Sequence, residues 1–369
     1  MRKQSPARPT VAVIGGGYAG SNVAKQLDEA AEVVLVEPKD AFVHNVAALR
    51  ALADPSWLPR IYFPYDGLLE RGRVIRDRAA KVDAGRVTLA YGQEIPADYI
   101  VLATGSAYPF PAKNDVDDTA AAHDKVRAAH AALSAANRVL LIGAGPVGIE
   151  LAGEIKAVWP GKQVTLLDAA ADVLGARFRT DLKAELRRQL SELQVDLMLS
   201  SPLAGEPPTG PGELGEFTVA TRNGATVTAD IWFRCYGVTP VSDYLTGALA
   251  AARDPGGFVR VNEFLQVAGQ DQVFALGDVS DADHKMAGAA GRQAQVVAGN
   301  IKALIAGESL APYQAAPPGI LVPIGPAGGS GQRPGADELI SPEVTAELKG
   351  RDMMVDRFAQ MFGLTDRKS

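Results

Sequence analysis

A short apolar run, a glycine-rich turn, an amphipathic helix and a second apolar run ending in an acid occur in that order twice in these 369 residues. That duplication predicts an α/β fold with two Rossmann-like dinucleotide-binding domains, because each copy is a βαβ unit with a pyrophosphate turn at its strand end. Two further observations agree. Runs such as Val33-Val34-Leu35-Val36 and Val139-Leu140-Leu141-Ile142 are continuously apolar, as strands of a parallel sheet covered on both faces must be. The chain is also long enough for two or three domains with ample core.

The first copy starts at Val11-Ala12-Val13-Ile14 and turns through Gly15-Gly16-Gly17-Tyr18-Ala19-Gly20. In this G-x-G-x-x-G, Gly15 makes the tight turn, Gly17 lets the backbone approach a pyrophosphate, and Gly20 lets the next helix pack on the sheet. Ser21 to Glu29 predicts that helix, with Val23 and Leu27 inward. The strand Glu32 to Val36 ends at Glu37, spaced from Gly15 as a ribose 2′-OH acceptor should be. Residues 41–52 predict one helix, and 53–72, with Pro55, Pro59 and Pro64, an irregular stretch. Val74-Ile75, Val87-Thr88-Leu89 and Tyr99-Ile100-Val101-Leu102 predict strands. The last leads into Ala103-Thr104-Gly105-Ser106, a small-residue turn that permits close backbone approach to a ligand.

An alanine-rich helix precedes the second copy. Its strand is Arg138 to Ile142, its turn Gly143-Ala144-Gly145-Pro146-Val147-Gly148, its helix Ile149 to Val158, and its second strand Val164 to Leu167, ending at Asp168. Two such fingerprints imply two bound dinucleotides. A carboxylate followed by Ala169-Ala170-Ala171 accepts from a 2′-OH and repels a 2′-phosphate, so NADH is expected over NADPH. Arg177 and Arg179 keep NADPH open.

Residues 172–199 predict a helix and a strand, and 200–216 a long connection. Phe217 to Ala220 and Thr226 to Asp230 predict a hairpin across Asn223-Gly224. Ile231 to Gly237 is another strand and turn, Phe258-Val259-Arg260-Val261 alternates as a strand, and Val273 to Leu276 is a buried strand leading to Gly277-Asp278. A helix follows over 287–306. Pro342 to Phe362 is amphipathic, with an apolar stripe of Met353, Met354, Phe358, Met361 and Phe362. Four uses of the stripe stand open: core packing, a quinone entrance, a dimer contact, or a membrane-surface helix. Asp352, Asp356 and Asp366 against Arg351, Arg357, Arg367 and Lys368 do not make the basic face of a strong interfacial anchor.

A net charge of −6 gives no reason to expect nucleic acid as a partner. One cysteine, Cys235, allows no internal disulfide and suits a reducing compartment. No apolar run approaches the roughly 20 residues of a membrane span. The basic start Met1-Arg2-Lys3-Gln4-Ser5-Pro6 has no signal-peptide h-region behind it and no glycine at position 2 for myristoylation. A cytoplasmic protein is expected, with peripheral contact at the cytoplasmic membrane face as an alternative. No metal is expected, and monomer and homodimer both stand open.

The second fingerprint together with Gly277-Asp278 resembles the FAD-dependent pyridine nucleotide-disulfide oxidoreductases, two-domain flavoproteins of the glutathione-reductase type. The resemblance implies that the first fingerprint holds FAD and the second NAD(P)H. It divides the chain into an FAD domain (8–112 and 256–315), an NAD(P)H domain (113–255) and a C-terminal region (316–369) for the acceptor, a dimer or a membrane. Thr104-Gly105 matches the crossing between domains, Gly237 the crossing back, and Asp278 the acid on the flavin ribitol. A narrower resemblance rests on His44-Asn45-Val46-Ala47-Ala48-Leu49-Arg50-Ala51, on Phe110-Pro111 with Lys113, and on Glu150 with Glu154-Ile155-Lys156. Val261-Asn262-Glu263, Leu265-Gln266-Val267 and Lys285-Met286-Ala287 add to it. These segments resemble the apoptosis-inducing-factor homologues known as AMID or ferroptosis suppressor proteins, which are NAD(P)H:quinone oxidoreductases. The match weakens over the last fifty residues, beyond Arg351-Asp352.

The resemblance implies FAD contacts at Gly15, Gly17, Tyr18, Ala19, Gly20, Glu37, Pro38, Lys39, Asn45, Val46, Arg50, Ala80, Thr104, Gly105, Asp278, Lys285, Met286 and Ala287. It implies NAD(P)H contacts at Gly143, Gly145, Pro146, Val147, Gly148, Glu150, Asp168 and Gly237. Hydride is expected to pass from NADH to the flavin N5, with the start of helix 287–306 at the flavin pyrimidine edge. The disulfide reductases discharge through C-x-x-x-x-C in the helix after the first acid. Residues 41–52 contain no cysteine, so electrons are expected to leave the flavin directly, to a quinone. Glu150 and Lys113 would poise the flavin–nicotinamide zone, and His44 and His284 would give a proton to a quinone oxygen or serve only as hydrogen-bonding groups. The alternatives are a ferredoxin or rubredoxin reductase and an NADH-sensing flavoprotein with little turnover.

Overall fold

A computed structural model describes residues 8–364. The lysine and the charged residues of the stripe beyond Leu364 lie outside the described residues, as does the stretch before Arg8. Five parallel strands form the first sheet, in the order Val273–Ala275, Tyr99–Leu102, Thr10–Ile14, Glu32–Val36, Arg73–Ile75. Val13 pairs with Leu35 on one side and Val101 on the other. Alternation then sends Val11, Val13, Val33, Leu35 and Val101 to one face and Ala12, Ile14, Val34, Val36 and Leu102 to the other, all buried. The first face is covered by the helices Tyr18–Leu27 and Ala287–Ala306, through Val23, Leu27, Ala294, Val297 and Ile301. The second is covered by the antiparallel meander Ala79–Asp83, Arg86–Leu89, Glu94–Pro96. Strand order reverses at Thr10–Ile14, so a crevice opens beyond its carboxyl end, where ligands bind in open α/β sheets.

The second sheet repeats this plan with four parallel strands, in the order Val195–Met198, Gln163–Leu167, Arg138–Ile142, Ile231–Arg234. The helices Thr119–Ala135, Pro146–Val158 and Thr180–Glu192 bury Leu133, Ile149, Ile155, Leu182 and Leu186 against one face. The other face is closed by the hairpin Phe217–Ala220 and Thr226–Ala229, turning at Asn223-Gly224 with Gly224 at φ +88°. The two crossings between the sheets pair with each other as an antiparallel ribbon, Ser106–Ala107 against Thr239–Pro240. The Thr104 hydroxyl donates to Val241 O at 2.6 Å and lies 3.0 Å from the Tyr244 hydroxyl.

Two expectations are corrected. Residues 41–52 are not one helix: Ala41–Val43 is a strand paired with Tyr62–Pro64, Asn45–Ala47 is a 3₁₀ turn, and Ala48–Ala53 is the helix. Phe42 and Val43 favour the strand, and the break at His44 lets its N–H donate to Ile61 O at 2.8 Å. Phe258 to Val261 forms only isolated bridges, through Val259 and Val261.

The amphipathic stretch Pro342 to Phe362 is built from three elements. A short helix, Pro342–Thr345, runs into a π-helical turn, Ala346–Gly350, then through left-handed Met353 and Met354 (φ 52° and 62°) into Val355–Met361. Its stripe is core packing. Met353 and Phe362 are fully buried in the core of the first sheet, with Phe358 and Met361 packed against it. The preceding hairpin, Ile320–Ile324 and Gly328–Gln332, goes instead to the second unit, burying Val322 and Ile324 against helix Pro146–Val158. The C-terminal region therefore spans both units. Among the described residues, no helix is long and apolar enough to cross a membrane.

Candidate active site

The two glycine-rich turns are geometrically equivalent. Gly15 and Gly143 have φ of +100° and +114°, and a Cβ there would sit 2.5 Å from Ala103 O and 2.9 Å from Cys235 O. Only glycine fits such a turn against a neighbouring strand. A Cβ on Gly20 would lie 1.8 Å from Gly15 O, and one on Gly148 1.9 Å from Gly143 O, so both helices press on their own turn. By contrast, a Cβ on Gly17 or Gly145 meets nothing within 4 Å. That open side lies at the start of each helix, where Gly17 and Gly145 are the N-caps and no side chain caps the free N–H groups. Such a bare helix start against open space fits a pyrophosphate.

The acids repeat the equivalence. Glu37 accepts from Gly16 N at 2.6 Å and Lys39 N at 3.0 Å, and Asp168 accepts from Ala144 N at 2.6 Å and Ala170 N at 2.7 Å. Burial holds the Glu37 carboxyl above its ordinary pKa, against the pull of those two N–H groups. Pro38 is half-buried beside it. The Lys39 ammonium reaches Asn114 O and Val116 O at 2.9 and 2.8 Å, tying the connection between the units to this strand end. Ala80 is exposed where the register slips between Ala79 and Lys81.

Between the units the structure gathers charges from distant parts of the chain. Asp278 accepts from the Ser106 hydroxyl at 2.6 Å and from Lys113 Nζ at 3.1 Å, and Lys113 also reaches Ser106 O at 2.8 Å. Gly277 (φ +72°) lies against Ala19, placing Asp278 beside the first turn. Helix Pro146–Val158 carries two carboxylates one turn apart, and each meets a cation from elsewhere. Glu150 is buried and pairs with Lys349 Nζ at 2.8 Å. Burial raises the Glu150 pKa, and Lys349 opposes the rise. Glu154 pairs bidentately with Arg50, at 2.7 Å to both Nε and Nη2. The Arg50 guanidinium is buried on Glu154, the Trp57 ring and Arg351 O, and so ties the two units together.

His44 takes the second of its two expected roles, that of a hydrogen-bonding group. It is fully buried with both ring nitrogens held. Nε2 lies 2.7 Å from Met353 O and so carries the proton, leaving Nδ1 to accept from the Tyr18 hydroxyl at 3.1 Å. Burial lowers its pKa to about 4, so the imidazole is neutral at neutral pH. Tyr18 in turn accepts from Val46 N at 3.1 Å, with Asn45 and Val46 half-buried alongside. His284 is exposed, and its Nδ1 meets Arg177 where loops of the two units touch. Lys285 turns its ammonium to Ser280 O, Asp283 O and the Phe258 ring. Met286 is the N-cap of helix Ala287–Ala306 without a side-chain cap. Gly105 (φ +67°) and Gly237 (φ +101°) sit at the paired crossings, and Pro146 and Val147 line the second turn half-buried.

Lys349 and Ser106 take part in this arrangement without having been expected as site residues. Ser106 follows the small-residue turn and was the most findable. Lys349 lies 199 residues from Glu150, and no local pattern links them.

Residues 9–296 match the pyridine nucleotide-disulphide oxidoreductases. The chain belongs to that family. Ferroptosis suppressor protein 1 of Taeniopygia guttata is 30% identical over 365 residues, spanning 96% of each chain. Apoptosis-inducing factor homolog B of Dictyostelium discoideum is 28% identical over 375 residues, spanning 94% of this chain and 95% of the relative. The sulfide:quinone oxidoreductase of Aquifex aeolicus shares the fold, with a TM-score of 0.74 at 17% identity over 96% of this chain and 91% of that one. The branch is that of the ferroptosis suppressor proteins and apoptosis-inducing factor homologues, and the protein is an oxidoreductase of an FAD- and pyridine-nucleotide-dependent family. Its one cysteine, Cys235, is 3% exposed, its pKa pushed up to about 12 by burial.

Proposed function

We propose that the protein is an NAD(P)H:quinone oxidoreductase that takes NADH as donor and passes electrons from FAD to a quinone with no thiol relay. The observation that carries this is the pair of equivalent dinucleotide turns in a chain whose one thiol is buried and inert. Bound FAD supplies the redox chemistry, accepting a hydride and releasing electrons singly or in pairs. The chain supplies placement. The turns at Gly15 and Gly143 hold the two pyrophosphates, and Asp278, steadied by Ser106 and Lys113, orients the ribitol. Glu150, steadied by Lys349, orients the nicotinamide. The uncapped start of Ala287–Ala306 presents the positive end of a 20-residue helix to the flavin's electron-rich edge.

Asp168 supports NADH as the donor. Its carboxylate stands at the ribose position, while Arg179 is held by Asp181 at 2.5 Å and by Ala336 O at 2.9 Å, and Arg177 turns to His284. Steady-state kinetics with a soluble quinone test this. NADH should exceed NADPH in kcat/KM, and Asp168→Ala should weaken NADH use by roughly tenfold, the worth of a charged hydrogen bond. Equal use of both donors by the unmodified protein would refute the preference. No quinone-dependent turnover with either would refute the function.

A further inference from the structure

The two turns differ in one respect that the shared fingerprint conceals: what holds the carbonyl of the middle residue. At the first turn, Gly16 O accepts from the Ser21 hydroxyl at 2.7 Å and the Tyr65 hydroxyl at 2.9 Å. At the second, Ala144 O accepts from the Leu174 backbone N–H at 2.9 Å. Among the described residues no side chain donates to it, and Ile149 stands where Ser21 does. Leu174 lies in the loop after Asp168, in a left-handed conformation (φ 56°).

A trans peptide points its N–H opposite to its C=O. With Gly16 O held inward by two buried donors, the Gly17 N–H points outward, across the open face where a pyrophosphate lies. Gly16 N is held as well, by Glu37 at 2.6 Å, so the residue is fixed at both ends. Tyr65 also explains the third consecutive glycine, since a Cβ on Gly16 would sit 2.5 Å from the Tyr65 oxygen. The Tyr65 ring is 7% exposed, and burial with Glu37 and Asp40 nearby keeps its hydroxyl protonated and therefore a donor. Behind it lies Phe362, fully buried, ring centroids 5.9 Å apart. Phe362 O is so close to Gly67 that a Cβ there would meet it at 2.4 Å.

We propose that Tyr65 is a positioning residue for FAD: its hydroxyl sets the Gly16–Gly17 peptide to face the pyrophosphate, and Phe362 braces its ring, so the end of the C-terminal helix helps retain the cofactor through Tyr65. The proposal rests on FAD occupying the first turn. It separates a resident site, locked by side chains, from an exchanging site whose turn is held by one loop N–H.

Tyr65→Phe keeps the ring and removes the donor. Apoprotein titrated with FAD should show a dissociation constant raised about fivefold, the worth of one net hydrogen bond. The NADH dissociation constant of the FAD-saturated protein should not change, and the thermal midpoint of the apoprotein should fall by no more than about 4 °C, the shift expected for one buried hydrogen bond. Ser21→Ala should act in the same direction. Phe362→Leu should weaken FAD in the native background and have less effect with Tyr65→Phe already present. FAD binding within twofold of the native value in both Tyr65→Phe and Ser21→Ala would overturn the proposal. So would a loss of NADH affinity and apoprotein stability in step with FAD. An equal effect of Phe362→Leu in both backgrounds would overturn the brace. Protein that binds no FAD in its native form would instead refute the cofactor assignment itself.

Discussion

Lys349 and Glu150 show at the residue scale how a charge is kept where burial opposes it. Glu150 is 9% and Lys349 13% exposed by side chain, and the pair is closed at 2.8 Å. Lys349→Met leaves a buried carboxylate unpaired, which costs about 3–5 kcal/mol at neutral pH. The sign with pH follows from the direction of the shift. Burial already raises the Glu150 pKa, and loss of the lysine raises it further, so the folded variant binds a proton more readily than the unfolded chain. Urea denaturation should show the deficit shrinking as pH falls and growing as pH rises above the ordinary glutamate range. NADH-dependent flavin reduction should lose its acid limb at a higher pH than in the native protein. A deficit independent of pH would contradict the assignment. Single residues were legible when they belonged to a local pattern. Gly15, Glu37, Gly143, Asp168 and Asp278 each ended a strand or made a turn. Lys349 did not, and the choice between the two roles open to His44 was not legible because the burial beneath Met353, which neutralises it, comes from the far end of the chain.

Elements with a strong period were legible, and those set by tertiary contacts were not. Helix Ala287–Ala306 runs over the predicted residues, and Asn223-Gly224 turns the predicted hairpin. The stretch 41–52 instead splits, because Phe42 and Val43 pair with Phe63 and Tyr62 across the chain. Nor did any pattern reveal the glycine contacts that set the C-terminal hairpin. A Cβ on Gly153 would stand 2.5 Å from Gly325 N, and one on Gly350 2.9 Å from Pro326 O. The hairpin tip is thus wedged between the second fingerprint helix and the π-helical turn bearing Lys349. Gly153→Ala should push the tip outward, costing about 1–3 kcal/mol as overpacking does. It should also lower kcat by loosening Lys349 on Glu150. Gly161→Ala, where a Cβ meets nothing within 4 Å, is the control and should stay within about 0.5 kcal/mol of the native protein. Chemical denaturation with steady-state kinetics on both variants checks this.

For the whole molecule, the arrangement of two sheets was readable from the duplicated fingerprint, but the ties between them were not. Arg50–Glu154 crosses from the first unit to the second with side chains 5% and 3% exposed. Arg50→Met should destabilise by about 3–5 kcal/mol through the carboxylate left behind, and Arg50→Met with Glu154→Leu should recover most of that loss. A double variant as unstable as the sum of the singles would mean the pair does not act as a unit. The C-terminal region adds a second tie, giving its hairpin to one core and its last helix to the other. These ties join the two units that carry the fingerprint turns, in a chain that has no second thiol. Anaerobic stopped-flow on Cys235→Ser beside the native protein tests directly the proposed transfer from flavin to quinone without a thiol relay. NADH should bleach the bound flavin in both, and a soluble quinone should then restore its colour in both at the same rate. A variant that is bleached by NADH yet no longer reoxidised by quinone would contradict the account, as would a native flavin whose reduced form persists in the presence of quinone.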